Sequence, residues 1–244
     1  NNPSSYVWNP ANMREVIKVA NEMSLFVIED AAPSIGAEFD GRKTGSFGDF
    51  GAFSFQGAKL MVTGEGGMLV TNNTDLYEKA KKIWDQGRNS KISRPFWIDE
   101  NGLKYKMSNI QASIGLGQLR RVDLLIKSKR RIFQAYQNLL GDLDCLDFIK
   151  EYQGAKSICW MSSFRINEKS PIDRDNLIKQ LREHGIDSRP VFPAISQYPI
   201  WGNNSEPRVN SLLVSNTGIN LPSGVCLKKH EIQYIADTIR KILS

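Results

Sequence analysis

Two short apolar runs constrain this chain more than any other feature. Leu25-Phe26-Val27-Ile28 and Phe50 to Phe55 (FGAFSF) have the composition of strands buried on both faces. Nineteen residues lie between Asp30, just past the first run, and Phe50. That is enough chain for a parallel crossover. Ahead of the first run, Met13, Val16, Ile17 and Ala20 recur near helical spacing between Asn12 and Asn21. A helix feeding a buried strand, with a second strand at crossover distance, is the pattern of an α/β domain. Opening on a helix without a start methionine, the sequence reads as the middle of such a domain, with a segment expected before Asn1.

The linker from Lys59 to Gly66 is too short for another crossover. The third run, Gly66 to Thr71, is therefore predicted to lie antiparallel to the second. Between the first two, Asp40-Gly41 is a hairpin turn signal. A helix is predicted around Leu76 to Trp84, followed by a loop of roughly fifteen residues from Arg88 to Leu103. Ser108 and Gln111 form a capping box. The apolar spacing after it, through Ile110, Ile114, Leu125, Ile132, Phe133, Tyr136 and Leu140, predicts one helix of roughly thirty residues bridging two domains, with Gly115 and Gly117 allowing a bend. The remainder reads as a smaller α+β unit. It has a strand in Ile158 to Ile166, a helix over Pro171 to Glu183 stopped by Gly185, an extended Ser188 to Phe192 and a closing helix from His230 to Leu243.

Composition excludes several classes. Charged residues at 24% and hydrophobic residues at 41% are those of an ordinary globular protein. No apolar run approaches the ~20 residues of a membrane helix, no secretory signal opens the chain, and cytoplasm is the expected compartment. Three cysteines without a CxxC pair fit a reducing compartment and argue against a metal site. The net charge of +6 comes from scattered Lys and Arg. It suits a solvated surface or an anionic small molecule, with no stripe for nucleic acid.

Chemistry is concentrated where the two apolar runs end. In an open α/β sheet, ligands bind beyond the carboxyl ends of the strands. If the runs are parallel, Asp30 and Lys59 share that edge, flanked by the small residues Ala31, Ala32, Gly57 and Ala58. A structural ion pair satisfies this spacing. So does a pyridoxal phosphate site, which needs an amine to join the aldehyde, a carboxylate at the pyridine nitrogen and a phosphate anchor. Ser54 carries a hydroxyl suited to the phosphate, or to a backbone bond in the interior. Gly64, Gly66 and Gly67 could cradle phosphate or simply permit a tight strand entry, and no Walker or Rossmann pattern is present.

The run VIEDAAPSIGAEFDGRKTGSFGDFGAFSFQGAKLMVTGEGGMLVTN resembles the DegT-type aminotransferases, pyridoxal-phosphate enzymes that aminate keto-sugars, usually on nucleotide carriers. GLKYKMSNIQASIGLGQL, IDSRPVF and NLPSG resemble the same family, so the likeness spans nearly the whole chain. It implies fold type I, a mixed and mostly parallel sheet with a smaller C-terminal α+β domain. Residues 1–125 would be the C-terminal part of the large cofactor-binding domain, and 126–244 the small domain. Members carry a further segment before the point matching Asn1, so this chain by itself is expected to hold the cofactor loosely.

Carried over by position, the resemblance implies that Lys59 is the cofactor-bearing and proton-moving lysine. It implies that Asp30 is the carboxylate at the pyridine nitrogen, Ala32 the small residue against the ring and Ser54 the phosphate-binding serine. Two positions depart from the pattern. Pro33 stands where members often have Gln or His facing the phenolic oxygen. Lys104 stands where members often have Asn reaching the partner subunit's phosphate, and is assigned that contact through its charge. Trp97, Arg189 and Tyr198 are candidate substrate neighbours. The implied activity is transfer of an amino group from glutamate or glutamine to a keto-sugar, by a homodimer. Dehydration on the same scaffold and a non-catalytic binding relative are the alternatives. Lys59 favours amination over dehydration, for which some relatives replace the lysine by histidine.

Overall fold

The computed structural model describes residues 11–89, 91–201 and 209–244. In chain order the first elements are α1 (Ala11–Glu22), β1 (Ile28–Asp30), β2 (Glu38–Phe39), β3 (Arg42–Lys43), β4 (Phe50–Ser54) and β5 (Gly67–Val70). Next come α2 (Thr74–Trp84), α3 (Asn109–Leu119), α4 (Val122–Leu140), β6 (Leu146–Phe148), β7 (Ala155–Lys156) and β8 (Ser162–Ile166). The chain closes with α5 (Arg174–Glu183), β9 (Arg189–Pro190), α6 (Val209–Thr217), β10 (Gly218–Leu221) and α7 (Lys229–Leu243). The described residues fall into two compact units divided at residue 123, the first also taking 152–157 and the second the rest from 124 onward.

The first unit is built on a mixed sheet of order β1-β4-β5. β1 and β4 are parallel, with Ile28 opposite Phe50 and Asp30 opposite Ala52. β5 returns antiparallel to β4, as its short linker requires. A second small sheet runs β3-β2-β7. Its hairpin turns through Asp40 and Gly41, whose φ values of 48° and 76° are the left-handed pair of a type I′ turn.

The first strand departs from the sequence expectation. Leu25, Phe26 and Val27 precede the ladder, Leu25 and Phe26 are exposed, and the strand begins at Ile28. The side chain it buries is Glu29, at 3% exposure. Its carboxylate accepts the N–H of Gly45 at 2.7 Å and of Gly48 at 2.8 Å, and also that of Phe47. A buried carboxylate is tolerable when several donors converge on it. The close pass of Gly45 under the sheet also fixes Gly51, where a Cβ would stand 2.1 Å from the Gly45 carbonyl oxygen.

The predicted long helix is two helices. α3 begins at the Ser108–Gln111 capping box, whose two halves are both formed. It ends at Leu119 with Arg120 as its cap, and Arg121 donates to the Gln118 carbonyl at 2.9 Å. That i→i−3 bond tightens the last turn and interrupts the ladder before α4. Gly115 and Gly117 stay inside α3, so the break falls after them.

The second unit packs α4, α5 and α7 on an antiparallel sheet of order β6-β8-β10-β9. Ile132, Tyr136 and Leu140 of α4, Leu177 and Leu181 of α5, and Ile232, Ile235, Ala236, Ile239 and Leu243 of α7 present stripes at helical spacing. They meet Phe164 and Ile166 of β8 and Ile219 and Leu221 of β10. Gly185, at φ 74°, closes α5 as its sequence position predicts.

Candidate active site

The parallel register of β1 and β4 builds the candidate site. Paired residues of parallel strands share a face, and so do residues two apart on one strand. Asp30, opposite Ala52, therefore projects from the same face as Ser54. Both stand at the carboxyl ends of their strands. The ladder continues one step further, with the Ala31 N–H donating to the Ala52 carbonyl at 2.9 Å.

Asp30 is exposed at the strand end, and its Oδ1 accepts the Ala32 N–H at 3.1 Å. That bond orients the carboxylate along the edge and holds half-buried Ala32 beside it. Pro33 is buried in a turn closed by the Ser34 N–H on the Ala31 carbonyl at 2.9 Å. Ser34, fully buried, ties this turn further through its Oγ to the Ala31 carbonyl, while Thr44 Oγ1 donates to the Ser34 carbonyl at 2.9 Å. Ser54 is half-buried, and its Oγ accepts the Gln56 N–H at 3.3 Å. The hydroxyl proton is left for another acceptor by that bond.

Lys59 lies on the irregular stretch between β4 and β5. The ends of this stretch are drawn together by Phe55 N–H to the Gly66 carbonyl and Thr63 N–H to the Phe55 carbonyl, each at 2.9 Å. Lys59 itself is half-buried, its N–H donates to the Gln56 carbonyl at 2.9 Å, and Leu60 and Met61 beyond it are buried. The glycines that follow have backbone reasons. Gly64 and Gly66 hold φ of 84° and 121°, and a Cβ on Gly67 would meet the Phe53 carbonyl oxygen at 2.5 Å.

Four of the five predicted site residues, Asp30, Ala32, Ser54 and Lys59, thus belong to the ends of two paired strands and the loop that leaves one of them. Lys104 is carried by different backbone. It is exposed and forms an isolated antiparallel bridge with Asp85 at the base of the 88–103 loop. Trp97 is partly exposed under the Arg94 guanidinium, 4.3 Å from its ring centroid. Arg189, exposed and paired with Asp187 at 3.1 Å, and Tyr198 lie in the second unit.

The donor set suits pyridoxal phosphate. Asp30 offers a carboxylate for a protonated ring nitrogen and Ser54 a hydroxyl for a phosphate oxygen from one face of the paired strands, and Lys59, on the loop that leaves β4, is a primary amine of the kind an aldehyde needs. Among the described residues no cluster of His, Cys, Asp and Glu could hold a metal ion, and no helix is long and apolar enough to cross a membrane.

The sequence profile of the DegT/DnrJ/EryC1/StrS aminotransferase family matches residues 3–240. The chain belongs to this family. GDP-perosamine synthase of Escherichia coli O157:H7 is 34% identical over 236 residues, covering 97% of this chain and 63% of that protein. GDP-perosamine synthase of Caulobacter vibrioides is 35% identical over 236 residues, covering 95% of this chain and 62% of that protein. The crystal structure of the aminotransferase TlmJ from Streptoalloteichus hindustanus aligns with a TM-score of 0.86 at 24% identity, over 96% of this chain and 63% of that one. The fold is fold type I of the pyridoxal-phosphate-dependent aminotransferases. The chain spans under two thirds of the length of these DegT-family relatives.

Three residues with clear roles escaped the sequence reading. Glu29 was given no role at the end of the first apolar run, because its backbone partners lie sixteen to nineteen positions away. Gln111 reads only as a cap, yet its Nε2 also donates to the Glu65 carbonyl at 3.0 Å. Gln118 gave no signal, and it holds Val62 by two hydrogen bonds.

Proposed function

We propose that this chain carries the site of a pyridoxal-phosphate-dependent aminotransferase that moves an amino group from glutamate to a keto-sugar on a nucleotide carrier. Family membership and the names of the relatives support the reaction class. The observation that carries the assignment is the β1–β4 register, with Asp30 opposite Ala52 and Ser54 two residues further on the same face.

When bound, the cofactor withdraws electrons from the carbon that bears the nitrogen. The chain's own residues do the rest. The Asp30 carboxylate holds the proton on the pyridine nitrogen. Lys59 would hold the cofactor through its amine and, once displaced from it by the incoming amino group, its freed amine would move the proton from the amino-bearing carbon to the coenzyme carbon. The Ser54 hydroxyl donates to a phosphate oxygen. Ala32 leaves room for a flat ring, where a larger side chain would intrude. Lys104 supplies a positive charge to the phosphate of a second subunit, in a homodimer in the cytoplasm. The boundary between cofactor-binding and small domains falls near residue 125.

Incubation with glutamate and a panel of nucleotide-linked keto-sugars, read by product mass, tests this. An amino-sugar formed by wild type and not by Lys59→Ala supports it. Turnover that survives in Lys59→Ala contradicts it.

A further inference from the structure

We propose that Gln118 is a positioning residue for Lys59, holding the segment that carries the lysine at a fixed height above the strand edge. The inference rests on the role of Lys59 proposed above. Between β4 and β5 the chain has neither a helix nor a strand ladder to satisfy its backbone, yet Leu60, Met61 and Thr63 are buried. Buried peptide groups need partners. At the near end, Gln56 takes them, its carbonyl accepting from the Lys59 N–H and its Oε1 from the Ala58 N–H, both at 2.9 Å. At the far end, the Thr63 N–H reaches the Phe55 carbonyl at 2.9 Å.

Val62 lies between them and gives both of its backbone groups to one side chain. Its N–H donates to Gln118 Oε1 at 3.0 Å, and its carbonyl accepts from Gln118 Nε2. A carboxamide presents a donor and an acceptor side by side, so it substitutes for the edge of a neighbouring strand. Gln118 belongs to a face of α3 that is shaped for this loop. Gly115 faces Thr63, where a Cβ would stand 3.1 Å from the Thr63 Cγ2, and Gln111 Nε2 donates to the Glu65 carbonyl at 3.0 Å. Positions 111, 115 and 118 fall on one side of a helix. None of the residues of α3 is buried, so these polar contacts, rather than core packing, define how it meets the loop. Two residues, Leu60 and Met61, separate Val62 from Lys59, and both are buried. Loss of the clamp therefore lets the lysine segment move while the sheet beneath it stays in place.

Trace acetylation of the 244-residue chain tests this, with peptide mass spectrometry giving the rate at each lysine. Lys179, exposed on α5, is the reference, and Lys82, paired with Asp99 at 2.7 Å and Glu100 at 3.0 Å, reports general loosening of the first unit. Gln118→Met keeps the length and removes both hydrogen bonds. It is expected to change the Lys59 to Lys179 ratio by about fivefold or more, the weight of one lost hydrogen bond on a local equilibrium, with the Lys82 ratio unchanged. Gln118→Glu, which keeps the acceptor for the Val62 N–H, is expected to restore part of the wild-type ratio. An unchanged Lys59 ratio, or Lys59 and Lys82 moving together, overturns the proposal. If Gln118→Met does not fold, the same two outcomes in Gln118→Glu decide it. Protection of Lys59 by added pyridoxal 5′-phosphate is measured in parallel. Lack of protection at saturating, millimolar-range cofactor refutes the role of Lys59 and leaves the Gln118 ratios to be judged independently.

Discussion

The carboxylate of Glu29 accepts the backbone N–H of Gly45 at 2.7 Å, from a position buried under the strand that ends in Asp30. With the amides of Phe47 and Gly48 it gathers the turn before β4 into one buried cluster. The register that brings Asp30 and Ser54 to one face thus depends on a residue that does no chemistry. Glu29→Ala strands three donors and is expected to cost about 3 kcal/mol or more of stability, with Glu29→Gln intermediate. Urea unfolding midpoints of the two variants measure this.

Gly51 is held by the same close approach. Gly51→Ala drives a methyl into the Gly45 carbonyl and is expected to destabilise by about 1–3 kcal/mol. Gly117 is the internal control. Nothing lies within 4 Å of a Cβ there, and Gly117→Ala is expected to stabilise by up to about 1 kcal/mol through helix propensity. Thermal unfolding of the pair, side by side, gives opposite signs if the packing is as described.

Lys129 predicts a pH dependence in the second unit. Burial pushes its ammonium down to about 8, against a smaller opposing pull from Cys159, while Nζ donates to the Trp160 carbonyl at 2.7 Å. An unfolded lysine keeps its proton up to 10.5. Above pH 8 the unfolded chain therefore binds the extra proton, and stability rises with pH. Tyr136, whose hydroxyl donates to the Pro222 carbonyl at 2.9 Å, acts oppositely. Burial raises its pKa above the ordinary 10.0, so its contribution to stability falls as pH climbs past that value. Urea titrations are expected to show stability rising from pH 8 to 10, and Lys129→Met is expected to flatten that rise.

Local chemistry was legible in the sequence, and long-range pairing was not. The Asp40-Gly41 turn and the Ser108–Gln111 cap are written in adjacent residues, and both form as read. The antiparallel return of β5 followed from linker length alone. By contrast β10, only Gly218 to Leu221, is a strand because it lies between β8 and β9, a fact carried by neither its length nor its alternation. The helix break escaped because Arg120 and Arg121 are both good helix formers and give no stop signal. At the candidate site, Asp30, Ser54 and Lys59 were readable as strand-end chemistry. Their supports, Glu29 and Gln118, were hidden because each binds backbone far away in sequence.

Reductive trapping shows whether Lys59 is the lysine that joins the cofactor. The chain is incubated with pyridoxal 5′-phosphate, reduced with borohydride and mapped by peptide mass. A phosphopyridoxyl adduct is expected concentrated on the Lys59 peptide, abolished by Lys59→Ala and weakened by Ser54→Ala. An adduct spread over surface lysines, with its yield unchanged in Lys59→Ala, would contradict that role of Lys59.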